Sequence, residues 1–310
     1  MSESAPSRTR ILAAYAAIYL IWGSTYLGIR FTIETIPPFL MGGVRFMIAG
    51  AFLYLVMRAR GEPKPTRIQW RSAAIIGALL ILGGNGAVVW AEQFVPSGIT
   101  ALLVAILPVW IVLIEWLGPA HTRPTPGVVA GLLLGIIGIV ILIGPSALTP
   151  AGSPMSGILK GAVVLMLGSL TWALGTIYSR HAPLPTSAFV ATGMEMLCGG
   201  AMLALLAIAA GEPTRFDLAE VSARSMIGFV YLTLIGSLVG FTAYIWLLDH
   251  EPASRISTYA YVNPVVAVFL GWAIAGEPLT LRTLIAAAII IGAVALITTV
   301  RSSSPPPEPG

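Results

Sequence analysis

Residues 126–143 read PGVVAGLLLGIIGIVILI, eighteen positions without one charged side chain. A run of that length and character is long enough to cross a bilayer as a helix, where about 20 apolar residues span the hydrocarbon. It is not isolated. Comparable runs, separated by Pro, Gly and charge, occupy 11–30, 38–57, 73–94, 98–117, 157–178, 187–209, 226–248, 254–275 and 282–300. Ten spans leave little of the 310 residues for a water-soluble domain, and the bulk numbers agree: charged residues are 10% of the chain and hydrophobic ones 57%. A soluble domain carries roughly 25% charged residues. The runs are continuous rather than alternating, which excludes the strands of a membrane barrel. The sequence predicts an all-α polytopic membrane protein.

Placement of Lys and Arg orients the spans. With a cytoplasmic N-terminus, eleven fall on the inner side, five of them between helices 2 and 3, and five on the outer side. Both termini are therefore expected in the cytoplasm of a bacterial inner membrane. Residues 1–10 read as a cytoplasmic tail and helix 1 as an uncleaved anchor, since the run after Arg10 is too long for a signal peptide. The Ser- and Pro-rich residues 301–310 read as a disordered tail. Cys198 is the single cysteine, which rules out an intrachain disulfide.

The second half repeats the first. Trp22–Arg30 (WGSTYLGIR) lies over Trp172–Arg180 (WALGTIYSR) at an offset of 150, and at that offset Phe39, Gly43 and Gly50 meet Phe189, Gly193 and Gly200. At 156, Gly84, Trp90, Pro96, Pro108 and Trp116 meet Gly240, Trp246, Pro252, Pro264 and Trp272. At 154, Gly138 and Leu142 meet Gly292 and Leu296. The expected domains are 11–145 and 155–300. Five helices is an odd number, so the second copy should enter the membrane the other way round. Two inverted five-helix repeats around a central cavity is an arrangement suited to alternating access.

Within this frame Tyr19-Leu20-Ile21-Trp22-Gly23-Ser24-Thr25-Tyr26 and Arg45-Phe46 resemble helices 1 and 2 of the drug/metabolite transporter superfamily, in its ten-helix EamA branch. Tyr244, Leu247, Ala253-Ser254, Pro264-Val265 and Gly276-Glu277-Pro278-Leu279-Thr280 resemble its helices 8 to 10. The likeness covers about residues 11–300. It implies a basket with a cavity lined mainly by helices 1, 3, 4, 6, 8 and 9, and export of amino acids or other small amphipathic metabolites. One departure is that Gly118-Pro119-Ala120-His121-Thr122 stands where the first half would need an acidic match to Glu277.

Candidate site residues follow from polarity and depth. Pro108 and Pro264, near the middle of helices 4 and 9, leave the carbonyls of Val104 and Ala260 without their usual donor. That makes either a polar notch or a packing kink. Trp22, Trp110 and Trp172 lie at mid-span and suit stacking on an apolar or aromatic substrate, with core packing as the alternative. Trp90, Trp116, Trp246 and Trp272 lie near span ends, where an interfacial belt is expected. Tyr26 shares a helix face with Trp22. Asn85 and Asn263 are polar amides near the midplane, with Glu92 on the face of Asn85 and Tyr259 on that of Asn263; they would serve a substrate's amino or carboxyl group, or bond helix to helix. Arg45 and Glu195 are mid-membrane charges at matched positions. A charge there costs at least ~2.5–3.5 kcal/mol, so pairing with each other, a substrate carboxylate on Arg45 and a coupling proton on Glu195 compete. Gly127, Gly131 and Gly135 in helix 5, and Gly236 with Gly240 in helix 8, have the spacing of close helix contacts, or on helix 5 of a homodimer face.

Other classes fit less well. No Gly-rich phosphate loop suggests a pump. His121, His181 and His250 are scattered, and no catalytic group, metal site or cofactor motif emerges, nor any nucleic-acid-binding pattern. The expected partners are a small-molecule substrate and the bilayer. A flippase of a lipid-like substrate is the nearer alternative, a membrane-embedded enzyme the further one.

Overall fold

The computed structural model describes residues 7–118, 124–144, 154–251, 253–256 and 258–302. Ten helical segments cross it: α1 (Arg8–Thr32), α2 (Pro38–Ala59), α3 (Arg67–Ala91), α4 (Ser97–Leu117), α5 (Pro126–Ile143), α6 (Pro154–Ser179), α7 (Ala188–Ala209), α8 (223–250), α9 (Tyr259–Ala275) and α10 (Leu281–Ser302). Nine have a stretch long and apolar enough to cross a membrane, and α9, with 17 residues, is a shorter apolar helix preceded by the single turn Ala253–Ile256. Among the described residues there are no strands. Exposed large side chains such as Leu133, Ile136 and Val140 on α5, and Leu205 and Ile208 on α7, are apolar. The outside of the bundle therefore suits lipid, and the chain is a multi-pass membrane protein. His121 and the tails 1–6 and 303–310 lie outside the described residues.

The helix starts are set by side chains that the apolar runs do not contain. Thr66 and Gln69 form a reciprocal capping box, so α3 begins at Arg67 rather than at 73. Ser222 Oγ accepts from the Ser225 amide at 3.1 Å and starts α8 at Ala223, not 226. Pro38 and Pro126 occupy the first turns of α2 and α5, where a missing N–H costs nothing. α1 begins at Arg8, with Ser7 Oγ accepting from the Arg10 amide.

Three turns share one tripeptide. Gly-Glu-Pro recurs at 61–63, 211–213 and 276–278, and its glycine has φ of 92°, 68° and 67° respectively. Only glycine takes that left-handed conformation without strain. In two of the three the following glutamate crosses to the other half. Glu212 accepts from the amides of Phe39 (3.3 Å) and Leu40 (2.7 Å) at the start of α2. Glu277 accepts from those of Ser97 (2.7 Å) and Gly98 (3.1 Å) at the start of α4. Each carboxylate satisfies amides that a helix N-terminus leaves orphaned and lies at the positive end of its dipole.

Matched positions meet reciprocally. A Cβ on Gly50 of α2 would lie 2.7 Å from the Gly193 carbonyl of α7, and one on Gly200 of α7 would lie 3.0 Å from the Gly43 carbonyl of α2. Gly43 and Gly193 are matched at the 150 offset, as are Gly50 and Gly200, so the contact has the form that a two-fold relation produces: i on j′ and j on i′. The two helices run antiparallel. Trp22 and Trp172 repeat the pattern: Trp22 of α1 fills the space beside Gly240 of α8, and Trp172 of α6 that beside Gly84 of α3. The glycine ladder of α5 meets side chains of the same chain, Gly127 beside Val300 and Gly131 beside Ile297 of α10, and Gly135 beside Val109 of α4, so the homodimer alternative would need another face of α5.

Two helices depart from α geometry at related places. Ala78–Asn85 of α3 and Leu232–Val239 of α8 are each eight-residue π-helical stretches, 154 residues apart. π turns are rare and frequent at functional sites. Here both lie where a tryptophan of the other half is seated.

A methyl group on Gly240 would come within 2.6 Å of Trp22 Nε1, and one on Gly84 within 2.7 Å of Trp172. Gly84→Ala and Gly240→Ala should each destabilise the protein by about 1–3 kcal/mol, read as a lower midpoint of thermal aggregation in detergent. Gly292→Ala, with nothing within 4 Å, should leave that midpoint unchanged or raise it.

Candidate substrate site

Along α1, Arg8, Ile11, Tyr15, Tyr19, Trp22 and Tyr26 recur every three or four residues and so form one stripe. The rings of Tyr15 and Tyr19 lie 5.7 Å apart. At mid-helix Trp22 meets three rings from the second half: Tyr244 at 5.2 Å, Phe241 at 5.3 Å and Tyr259 at 5.2 Å. The Phe241 and Tyr259 contacts are edge-on, the favoured aromatic arrangement. The Trp22 indole N–H donates to the Gly236 carbonyl at 3.3 Å, a group inside the π stretch of α8. The distorted helix thus hands a carbonyl to the side chain of another helix.

The first of the two ends of α1 opens into a cleft of about 500 Å³. Tyr15, Tyr19, Glu251, Arg255 and Thr258 line it with Arg8. The Tyr15 phenol donates to Glu251 (3.4 Å), Arg255 pairs with the same carboxylate (3.3 Å), and Tyr19 bonds Thr258. At the opposite end the chain is packed. Ala91, Val95, Ser97 and Thr100 are buried there, and Glu277 bridges α4 to the turn before α10.

Trp22 and Tyr259 are brought together, and Asn263 sits one turn along α9 from Tyr259, its backbone carbonyl 3.2 Å from the Cβ position of Gly23. Tyr26 stands one turn further along α1 and within electrostatic range of Tyr259. Asn263 Oδ1 and Trp110 Nε1 are buried without a protein partner. Groups of this kind cost about 1–3 kcal/mol unless satisfied, which makes them natural points of attachment for a ligand. Asn85 uses its amide locally, donating to the Leu80 carbonyl at 3.3 Å in the π stretch of α3, beside the Trp172 seat at Gly84. Pro108 stands in the first turn after a break at Ala105–Ile106 that divides α4 into Ser97–Val104 and Leu107–Leu117. Pro264 lies inside a continuous α9.

Arg45 and Glu195 are not an ion pair among the described residues. The Arg45 guanidinium, 4% exposed, donates from Nε to Ser237 Oγ at 2.9 Å and lies 4.7 Å from the Phe46 ring centre. Ser237 is another member of the α8 π stretch, which brings it within reach of α2. Trp116 and Trp272 are 42% and 50% exposed near helix ends, and His250, the last residue of α8, stacks on Trp246 at 4.2 Å. Among the described residues no group of three His, Cys, Asp or Glu is placed to hold a metal.

Phe241 and Tyr244 join Trp22 without having been singled out as site residues. Their signal was modest: they follow the matched Gly240, and Phe241 falls opposite Asn85 at the 156 offset. Aromatic and amide mates do not look alike in sequence.

A lipid-faced bundle with an aromatic seam and a cleft at one end defines a multi-pass membrane transporter. The chain belongs to the EamA-like transporter family, whose model matches residues 9–144 and again 159–299. It is 38% identical over 292 residues to the uncharacterized inner membrane transporter YedA of Escherichia coli (strain K12), covering 93% of this chain and 90% of that one. It is 24% identical to the uncharacterized transporter YoaV of Bacillus subtilis (strain 168), covering 91% and 94%, and 27% identical to Protein PecM of Dickeya dadantii (strain 3937), covering 89% and 88%. A crystal structure of 22% sequence identity overlays 96% of this chain and 100% of its own with a TM-score of 0.62. At that identity the likeness speaks to fold.

Trp110→Phe removes the unpartnered indole N–H and keeps a ring. Its unfolding free energy in detergent should stay within about 1 kcal/mol of the parent, and if the indole N–H meets the substrate, affinity should fall several-fold in a binding titration.

Proposed function

We propose that this EamA-family transporter is a secondary carrier that exports apolar or aromatic amino acids, or similar small amphipathic metabolites, across the inner membrane. Both termini lie in the cytoplasm. The halves 11–145 and 155–300 are inverted repeats that alternately expose a central site, and the reciprocal glycine contacts of α2 and α7 support that relation.

The observation that carries the reading is the aromatic cluster Trp22, Phe241, Tyr244 and Tyr259, reached along one stripe of α1 from the open cleft. An aromatic or aliphatic side chain that displaces one of these ring contacts exchanges it for a similar one, each ring pair contributing about 0.5–1.5 kcal/mol beyond area burial. The orphaned Asn263 Oδ1 offers an acceptor for an ammonium group. In the cleft Glu251 and Arg255 present both signs of charge, as a zwitterion requires. The second half contributes its own seat in Trp172 beside Asn85.

A flippase would need an opening between helices toward lipid. An apolar groove does run along the flank of α1, α8 and α9, lined by Leu20, Tyr231, Val265 and Phe269 among others. Ser24 bonds Tyr231 within it, and Gly23 of α1 packs on Val266 of α9. That seam favours a sealed interior and so the exporter.

Uptake of labelled aromatic and aliphatic amino acids into liposomes containing the purified protein tests this. Saturable uptake, competed by unlabelled substrate and reduced at least tenfold in Trp172→Ala and Asn263→Ala, is expected. No uptake above empty liposomes by folded protein would reject the amino-acid substrate; scrambling of a labelled lipid by the same preparation would establish the flippase instead.

A further inference from the structure

Glu92 follows α3 at the packed end of the bundle and is 0% exposed. Neither of its carboxyl oxygens has a hydrogen-bond partner. Ser97 Oγ and Thr100 Oγ1, a few residues on, are buried without partners as well, so four oxygens are stranded at the corner between α3 and α4. Nothing in the substrate site described above uses them.

The groups that face Glu92 do not neutralise it. Arg30 of α1 is a cation within electrostatic range, and its Nη1 donates to the Glu92 backbone carbonyl at 3.4 Å, not to the carboxyl. Tyr26, also of α1, lies within electrostatic range. From the turn between α9 and α10 comes Glu277, a second carboxylate, whose oxygens are taken by the Ser97 and Gly98 amides. From α6, Gly161 packs on Ala91 and Val95, but the adjacent Lys160 is exposed. At the same end, Glu212 is held by the amides of Phe39 and Leu40. An ionised carboxylate buried without donors and beside a second acid is costly by several kcal/mol, and adding a proton removes most of that cost.

We propose that Glu92 is a proton-binding site: it carries a proton while the α3–α4 end of the bundle is closed, and releases it when that end opens to water. On the topology proposed above this is the outer end, so the ligand is a proton from the extracytoplasmic side. The sign follows from linkage. The closed state binds one more proton than the open state, so closure is favoured at low pH and lost as pH rises. The closed-to-open ratio changes by up to about tenfold per pH unit between the two pKa values of the group. Glu277 acts differently. It latches the corner through the Ser97 and Gly98 amides and sets how far the equilibrium leans.

The test needs no substrate and no knowledge of orientation. In a Cys198→Ser background, Val95→Cys places a reporter thiol beside Glu92, where Val95 is 1% exposed. Its rate of labelling by a maleimide is measured in nanodiscs from pH 5 to 9 and divided by that of Leu218→Cys, 68% exposed in the loop before α8, which removes the thiol's own titration. The normalised rate should climb at least tenfold along a single-proton curve. Glu92→Gln should stay low and flat, Glu92→Asp should keep the curve with a displaced midpoint, and Glu277→Gln should raise labelling throughout while keeping the pH dependence. A curve of unchanged midpoint and amplitude in Glu92→Gln overturns the assignment. If Glu92→Gln does not fold, an undisplaced midpoint in Glu92→Asp does so.

Discussion

In a bilayer, apolar side chains gain nothing by leaving lipid for one another, so helices are held by close packing and by the few polar bonds available. Here the close packing is concentrated where side chains are missing. Gly43 and Gly50 of α2 interlock with Gly200 and Gly193 of α7, and this antiparallel pair lies between the halves. The rest of the architecture is arranged about it. Trp22 and Trp172 each reach across to a glycine of the opposite half, at Gly240 and Gly84, and the helices that receive them are the two that loosen into π turns. The aromatic seam at Trp22 exists because α8 is thin and distorted where α1 meets it.

Much of this frame could be read from residue order. The apolar runs located the ten segments, and the offsets 150, 156 and 154 found the glycines and tryptophans that later proved to touch. What the offsets could not give was who touches whom. Gly84 and Gly240 match each other in sequence, yet each packs against the tryptophan of the other half, a pairing that needs the three-dimensional crossing. The π stretches were hidden for a related reason. Their apolar residues, ALLILGGN and LTLIGSLV, are ordinary for a helix, and the bonds that widen the turn leave no compositional mark.

The geometry of the candidate site was legible in part. Depth singles out Trp22, polarity Asn263, and helical spacing Tyr259 on the face of Asn263; the fold sets Trp22 of α1 against Tyr259, one turn from Asn263 on α9. Asn85 met a local carbonyl instead, because the π stretch left Leu80 free to accept. Arg45 turned to Ser237, a hydroxyl that in a regular α-helix nothing would have singled out. The capping role of Glu212 and Glu277 went unseen, although three copies of Gly-Glu-Pro were in plain view. A tripeptide says that a turn is present; which distant helix its glutamate reaches depends on how the halves are docked.

Two equal halves, exchanged by symmetry, would spend equal time facing either side of the membrane. The Gly-Glu-Pro turn after α9 breaks that equality, for the first half has Gly118-Pro119 at the corresponding place and no glutamate to offer. A side-chain cap contributes typically about 1 kcal/mol, which is roughly a fivefold preference. On the alternating-access reading proposed above, the Glu277 cap, which the first half does not duplicate, weights the molecule toward a posture shut at one end and expectant at the other.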